Sequence, residues 1–256
     1  ARLKAQYDSL RTIQISNDIP LPLHFNPLIS GQEIPKGREK YLFQEFPTKR
    51  PDNIEDCAFY TIGQLAHLIR TRQISSLELT NMYLSRLERF GPQLECVITL
   101  TRELAIEQAK RADELIKNGK YLGPLHGIPY GAKDLLAVEG YKTTWGAMTH
   151  KDQFIESTAT VIKKLEEAGA VLLAKLTLGA LAWGDNWYGG KTRNPWNTEL
   201  GSSGSSAGPG SATSAGLVAF SIGSETWGSI VSPSTVNGVT GLRPTFGTVS
   251  KSGAMA

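Results

Sequence analysis

Two rhythms of apolar and polar positions alternate along the chain, and each change of rhythm marks an element. From Thr61 the apolar residues recur every three or four positions. Ser75-Ser76-Leu77-Glu78 has the form of a capping box, and Leu77, Thr80, Leu84 and Leu87 follow at helical spacing. Thr101 opens another helix, with Ala105, Ala109, Ala112 and Ile116 on one face and Asn118-Gly119 as its stop signal. The run GIPYGAKDLLAV from Gly127 predicts a strand. A helix around residues 157–168, stopped by Gly169, and a buried-type strand at Val171–Ala174 come next. That strand–helix–strand order predicts a parallel, right-handed crossover in an α/β layer structure.

Residues 1–55 break both rhythms. A helical pattern, ARLKAQYDSLRTIQ, runs into Pro20, Pro22, Pro27 and Pro35, which interrupt regular structure. The chain therefore divides into an extended N-terminal arm, 1–55, expected to wrap a body, and the body itself, 56–256. No internal repeat is visible.

Composition narrows the function classes. With 256 residues, 40% hydrophobic and 20% charged, the chain is ordinary globular material. A net charge of +3, without a basic run, gives no reason to expect nucleic acid. No stretch approaches the roughly 18 apolar residues of a membrane span. Cys57 and Cys96 form no CxxC and have no His at ligand spacing, so they read as buried free thiols and leave the compartment open.

The stretch GSSGSSAGPGSATSAG at 201–216 has the composition of a flexible linker. Its surroundings argue otherwise. It feeds into the apolar run LVAFSIGS, and residues 201–256 carry only three charged side chains, Glu225, Arg243 and Lys251. Low charge, small residues and apolar strands predict packed interior at the centre of a sheet.

Three chemistries suit a buried Ser/Gly segment. Phosphate cradling is weak, because no Lys or Arg lies between 201 and 242 to complete a P-loop. Gly204-Ser205-Ser206-Ala207-Gly208 matches the nucleophile elbow G-x-S-x-G with Ser206 as nucleophile. That fold needs an acid and then a His after the serine, yet all four His precede it and no Asp follows. The third is a serine nucleophile with a lysine base. Lys133, in the apolar context GIPYGAKDLL, would be poorly solvated as an ammonium and could serve. Spacing alone favours the competing reading, in which Lys133 pairs with the adjacent Asp134 or another carboxylate.

Several segments together resemble the amidase signature family of serine hydrolases. HGIPYGAKD is similar to the family's lysine segment and TTWGA at 143–147 to the motif after it. AKLTLGALA and NPW at 194–196 follow, and then GSSAGPGSATSAGLVAFSIGSETWGSIVSPSTVNGVTGLRPTFGTVS resembles the long signature itself. The resemblance covers roughly residues 60–256. It implies an α/β fold, a mixed β-sheet core flanked by helices, expected to be incomplete at its C-terminal side because such enzymes are much longer. A C-terminal half, in the same or a separate chain, is the expected partner, and a homo-oligomer is compatible with the reading.

The same resemblance implies a Lys–Ser–Ser relay. The nucleophile position is Ser229, in Gly228-Ser229-Ile230, and the middle serine, 24 residues earlier, is Ser205, not Ser202, Ser203 or Ser206. Lys133 is the base. The middle serine is held in a cis peptide in the family, and backbone N–H groups of Thr226, Trp227, Gly228 and Ser229 form the oxyanion hole. No cofactor and no metal are implied; the substrate is a small-molecule amide. Two positions depart from the family pattern. Trp227 replaces a glycine in the oxyanion loop, where its indole either roofs the pocket or packs in the core, and Val231 replaces an Arg. The leading expectation is an amidase acting through an acyl-enzyme. The alternatives are the glutaminase subunit of an amidotransferase, which the proline-rich arm disfavours, and an amidase-like chain that binds without turnover.

Overall fold

The computed structural model describes residues 2–14 and 46–255. Two units are distinguished. One comprises residues 1–39 with 244–249, the other 40–243 with 250–256. In the first, the described part of the arm is a helix, α1 (Arg2–Arg11), all of whose residues are exposed. The proline-rich part of the arm lies outside the described residues. The second unit carries the sheet and the candidate site.

Its helices begin where local chemistry starts them. Thr61 caps α2 (Ile62–Arg70) in a reciprocal box with Gln64, and Ser75 caps α3 (Ser76–Leu94) in the same way with Glu78. Each box satisfies backbone donors at a helix start that would otherwise lack a partner. Helix α4 (Arg102–Lys117) ends at Asn118 and Gly119, the latter at φ +77°. Helix α5 (Thr160–Glu167) is followed by Gly169 at φ +85°. These are the stop signals expected of those residues.

A four-stranded mixed sheet runs in the order β1-β3-β2-β4, with β1 Val97–Leu100, β2 Pro129–Lys133, β3 Val171–Leu176 and β4 Phe220–Ile222. β2 pairs parallel with both β3 and β4, and β1 pairs antiparallel with β3. All residues of β2 and β3 are buried. One core lies against Leu173, Ala174 and Leu176 and gathers Leu65, Leu79, Leu84, Leu87 and Ala105 from α2, α3 and α4. The other holds Tyr130, Ala132 and Leu172 against Ile162 of α5 and Leu135, Leu136 and Val138. The sheet is thus covered on both faces, as fully buried parallel strands require.

The Ser/Gly segment corrects one expectation. Residues 205–212 are buried, but as a loop and a helix, α6 (Ala207–Ser214), not as central strand. β4 stands at the edge of the four-stranded sheet, and a last helix, α7 (Val231–Asn237), follows. Residues 240–251 are exposed. Low charge reflects tight packing in 205–212 and around Leu217, Val218 and Asn237, whereas in 240–251 it accompanies exposed residues.

Arg86 ties the scaffold to α6. Its guanidinium donates to Gly216 O at 2.8 Å and Ala215 O at 3.0 Å, which lie at the end of α6, and it pairs with Glu55 at 3.2 Å. Arg86 is 8% exposed, so its removal strands two carbonyls, while Glu55 keeps Arg89 at 2.7 Å. Arg86→Met is expected to destabilise by about 2–4 kcal/mol. Arg89→Met, which breaks an exposed bond to the same Glu55, should cost under about 1 kcal/mol. Urea unfolding of the two variants measures the difference, and equal losses contradict the bridge.

Candidate active site

Lys133 is the last residue of β2, and its side chain crosses the sheet face towards the start of α6. It is fully buried, and its amine meets three hydroxyls: Ser205 Oγ at 2.7 Å, Ser206 Oγ at 3.0 Å and Ser224 Oγ at 3.0 Å. Ser224 O lies at 3.4 Å. Among the described residues no carboxylate reaches it. Burial lowers its pKa from 10.5 to about 7, against a smaller opposing pull from Glu225.

Asp134 is the nearest carboxylate in sequence and does not pair with Lys133. Successive strand residues point to opposite faces, so Lys133 and Asp134 diverge. Asp134 instead contacts Lys175 Nζ at 2.5 Å, as an ion pair rather than an aligned hydrogen bond, with both side chains fully buried. Its other oxygen accepts from Thr144 N at 2.8 Å and Thr144 Oγ1 at 2.6 Å. Lys175 also donates to Lys142 O at 2.9 Å and Thr143 Oγ1 at 3.1 Å. Burial lowers the Lys175 pKa while Asp134 opposes that shift. The open alternative, a Lys133–Asp134 pair, is therefore excluded by register.

The two serines beside Lys133 differ in one respect. Ser206 Oγ donates its only proton to Ser224 O at 3.1 Å and accepts from Ser224 N at 3.3 Å, so towards the lysine it can only accept. Among the described residues Ser205 Oγ has no partner but Lys133, which leaves its proton available to an unprotonated amine. The Gly204–Ser205 peptide is cis. Gly204 is required by a close approach: a Cβ there would stand 1.8 Å from Gly184 O.

Ser229 sits across from this cluster on the loop between β4 and α7. It is half-buried, and its carbonyl accepts from Ser206 N at 3.0 Å. Its hydroxyl makes no hydrogen bond among the described residues, to Ser205 or any other. The structure thus brings Lys133 and Ser205 into contact, and holds Ser229 beside them through backbone alone.

The loop before Ser229 is clamped at both ends by one carboxylate. Glu225 accepts from Ile230 N and Val231 N at 2.8 Å each and from Arg243 at 2.9 Å. Burial would raise its pKa, but those donors outweigh it and hold it below the usual value. Within that clamp the N–H groups of Thr226, Trp227, Gly228 and Ser229 donate to no acceptor among the described residues. Gly228 adopts φ +100°, a conformation other residues rarely take. Four consecutive free donors beside a free hydroxyl can stabilise a developing oxyanion. Trp227 is 85% exposed, so the alternative that it packs in the core does not hold. Val231 is at the first turn of α7, and the guanidinium on Glu225 comes from Arg243.

A family model described as Amidase matches residues 78–256. The chain belongs to the amidase signature family. It is 40% identical over 199 residues to a Glutamyl-tRNA(Gln) amidotransferase subunit from Marinomonas sp. (strain MWYL1), across 77% of this chain and 41% of that protein. The protein of the same name from Methylococcus capsulatus is 41% identical over 200 residues, with the same coverage. Among solved structures, the native peptide amidase from Stenotrophomonas maltophilia superposes with a TM-score of 0.74 at 36% identity, covering 79% of this chain and 43% of that one. A fatty acid amide hydrolase gives 0.73 at 28% identity, over 81% and 37%. The chain thus spans about 41% of the length of the curated relatives it matches. No helix among the described residues is long and apolar enough to cross a membrane.

Three neighbours of the site were missed by sequence reasoning: Ser224, Lys175 and Thr144. The strand alternation of 133–134 and of VLLAKL held the signal for Lys175. Ser224 and Thr144 come from loops with no periodic pattern to place them.

A depressed lysine pKa also has a signature in stability. Between about 7 and 10.5 the unfolded chain holds a proton that folded Lys133 lacks, so stability rises with pH across that window. Below it both states are protonated and the penalty is constant. The stability difference between wild type and Lys133→Met should therefore grow in favour of wild type from pH 7 to pH 10, by at most about 1.4 kcal/mol per pH unit. Denaturant melts at several pH values test this, and a flat difference contradicts it.

Proposed function

We propose that this chain carries the relay of a serine amidohydrolase cleaving the C–N bond of a carboxylic amide. One observation carries the reading. A buried lysine with no counter-ion and a pKa of about 7 stands 2.7 Å from a serine whose proton has nowhere else to go. Such an amine is a base matched to neutral pH.

In the proposed reaction Ser229 Oγ attacks the amide carbonyl carbon. Its proton passes to Ser205 Oγ as the Ser205 proton passes to Lys133 Nζ. The carbonyl oxygen, now negative, rests on the free N–H groups of 226–229. The proton then returns through Ser205 to the amide nitrogen, the C–N bond breaks and the amine leaves. Water repeats the sequence on the acyl-enzyme and releases the carboxylic acid. Small hydroxyl-to-hydroxyl adjustments close the Ser205–Ser229 gap once substrate is bound, as catalytic contacts often tighten only in the complex.

A second reading, hydrolysis of glutamine to feed ammonia to a partner, is favoured by the names of the amidotransferase relatives. It differs in substrate and not in relay. Turnover of glutamine in preference to simple amides would select it.

The serine assignment is tested by a fluorophosphonate probe with mass-spectrometric mapping. Ser229 is the expected adduct, and labelling of Ser206 with Ser229 untouched restores the elbow reading. Acylation should rise with pH through about 7 and level off above it, because only neutral Lys133 accepts the proton. Ser229→Ala and Lys133→Ala are each expected to cost on the order of 10⁴-fold or more, and the double variant little beyond either. Ser205→Ala should be damaging, Ser206→Ala less so, and Ser203→Ala mild. Additive losses in the double variant contradict a single unit.

A further inference from the structure

Among the described residues, two exposed indoles on segments of the site have no aromatic partner but each other. Trp183 is 74% exposed and Trp227 is 85% exposed, yet their ring centroids are 6.4 Å apart with planes 33° from parallel. Two large apolar rings left this open call for an apolar occupant.

Both rings are carried by backbone that is itself part of the site. Trp227 lies in the run of free N–H groups, two residues from Ser229. Trp183 lies on the turn between Gly179 and Gly184, and Gly184 O is the atom packed against Gly204, next to Ser205. Leu181 and Ala182 in that turn hold φ +53° and +62°, a conformation non-glycine residues adopt only where their surroundings impose it. Each indole is thus fixed to one arm of the relay, Trp183 to the Ser205 side and Trp227 to the Ser229 side. The ring contact thus joins the segment packed against Gly204 to the loop that carries Ser229.

From this geometry we propose that Trp183 and Trp227 form a specificity platform that selects amides bearing a planar apolar ring beside the scissile carbonyl. The inference rests on the amidase reading above and adds the substrate class. The spacing decides how the ring sits. Sandwiching it between two indoles needs about 7 Å, twice a stacking distance of roughly 3.5 Å. At 6.4 Å and 33° the pair is too narrow for a sandwich. The substrate ring lies across both indoles, face to one and edge to the other, within the 4.5–7 Å range of aromatic pairs. A linear alkyl group covers less of the same surface and gains less from it.

Ser229 labelling by two fluorophosphonates, one with a phenylalkyl and one with a linear alkyl tail, tests the platform. In wild type the phenylalkyl probe should react at least tenfold faster. Trp183→Ala should bring that ratio below about threefold, slowing the phenylalkyl probe far more than the alkyl one. Trp227→Ala should reduce the ratio similarly, and Trp227→Phe should restore most of it. Equal rates for the two probes in wild type, or a ratio untouched by either alanine variant, overturn the platform and leave the relay standing. Failure of both probes to label Ser229 overturns the relay and the platform with it. Phenylacetamide and acetanilide then place the ring. Faster turnover of the first puts it on the acyl side and of the second on the leaving amine, whereas no gain for either over a linear amide overturns the proposal.

Discussion

A buried ion pair on one face of the sheet leaves a buried amine without a counter-ion on the other. Asp134 is spent on Lys175 and Thr144, so the only carboxylate close in sequence to Lys133 is unable to hold it as an ammonium. A lysine in an apolar interior without a counter-ion loses its proton more readily, and that loss is what turns a structural side chain into a base. Were Asp134 to face Lys133, the pair would be a static salt bridge. The parallel register of β2 and β3, with Ala132 opposite Lys175, therefore sets the chemistry as well as the packing.

Around that amine the proposed proton pathway depends on commitments made elsewhere. Ser206 has given its proton to a backbone carbonyl, and only Ser205 retains one to pass on. Glu225 plays the corresponding part for the oxyanion loop. By occupying the N–H groups of Ile230 and Val231 it fixes the loop's far end and leaves the preceding donors free. Each functional group is available because a neighbour has been taken out of competition.

How much of this was legible in the sequence follows from how local each cause is. The box at Ser75 and Glu78 and the stops at Asn118-Gly119 and Gly169 involve residues within four positions, and they appear where the sequence puts them. β2 and β3 were legible as apolar runs, and their parallel pairing as the consequence of an intervening helix. The partner of Asp134 lies 41 positions away and depends on which face each strand residue takes. Alternation within the strands contained that information, but proximity in sequence pointed to the wrong lysine neighbour. The low charge of 201–256 was misleading for a different reason. Small uncharged residues suit a buried helix such as α6, a clamped loop and exposed turns alike, so composition alone does not separate them.

The contact between Gly184 and Gly204 has a mechanical meaning. Two backbone segments touch with no side chain between them, so there is nothing compliant at that point to absorb a displacement. A load on the turn 179–184 is borne directly by the peptide that carries Ser205. The outer rim of the site and the proposed proton wire are, at this one junction, a single stiff piece.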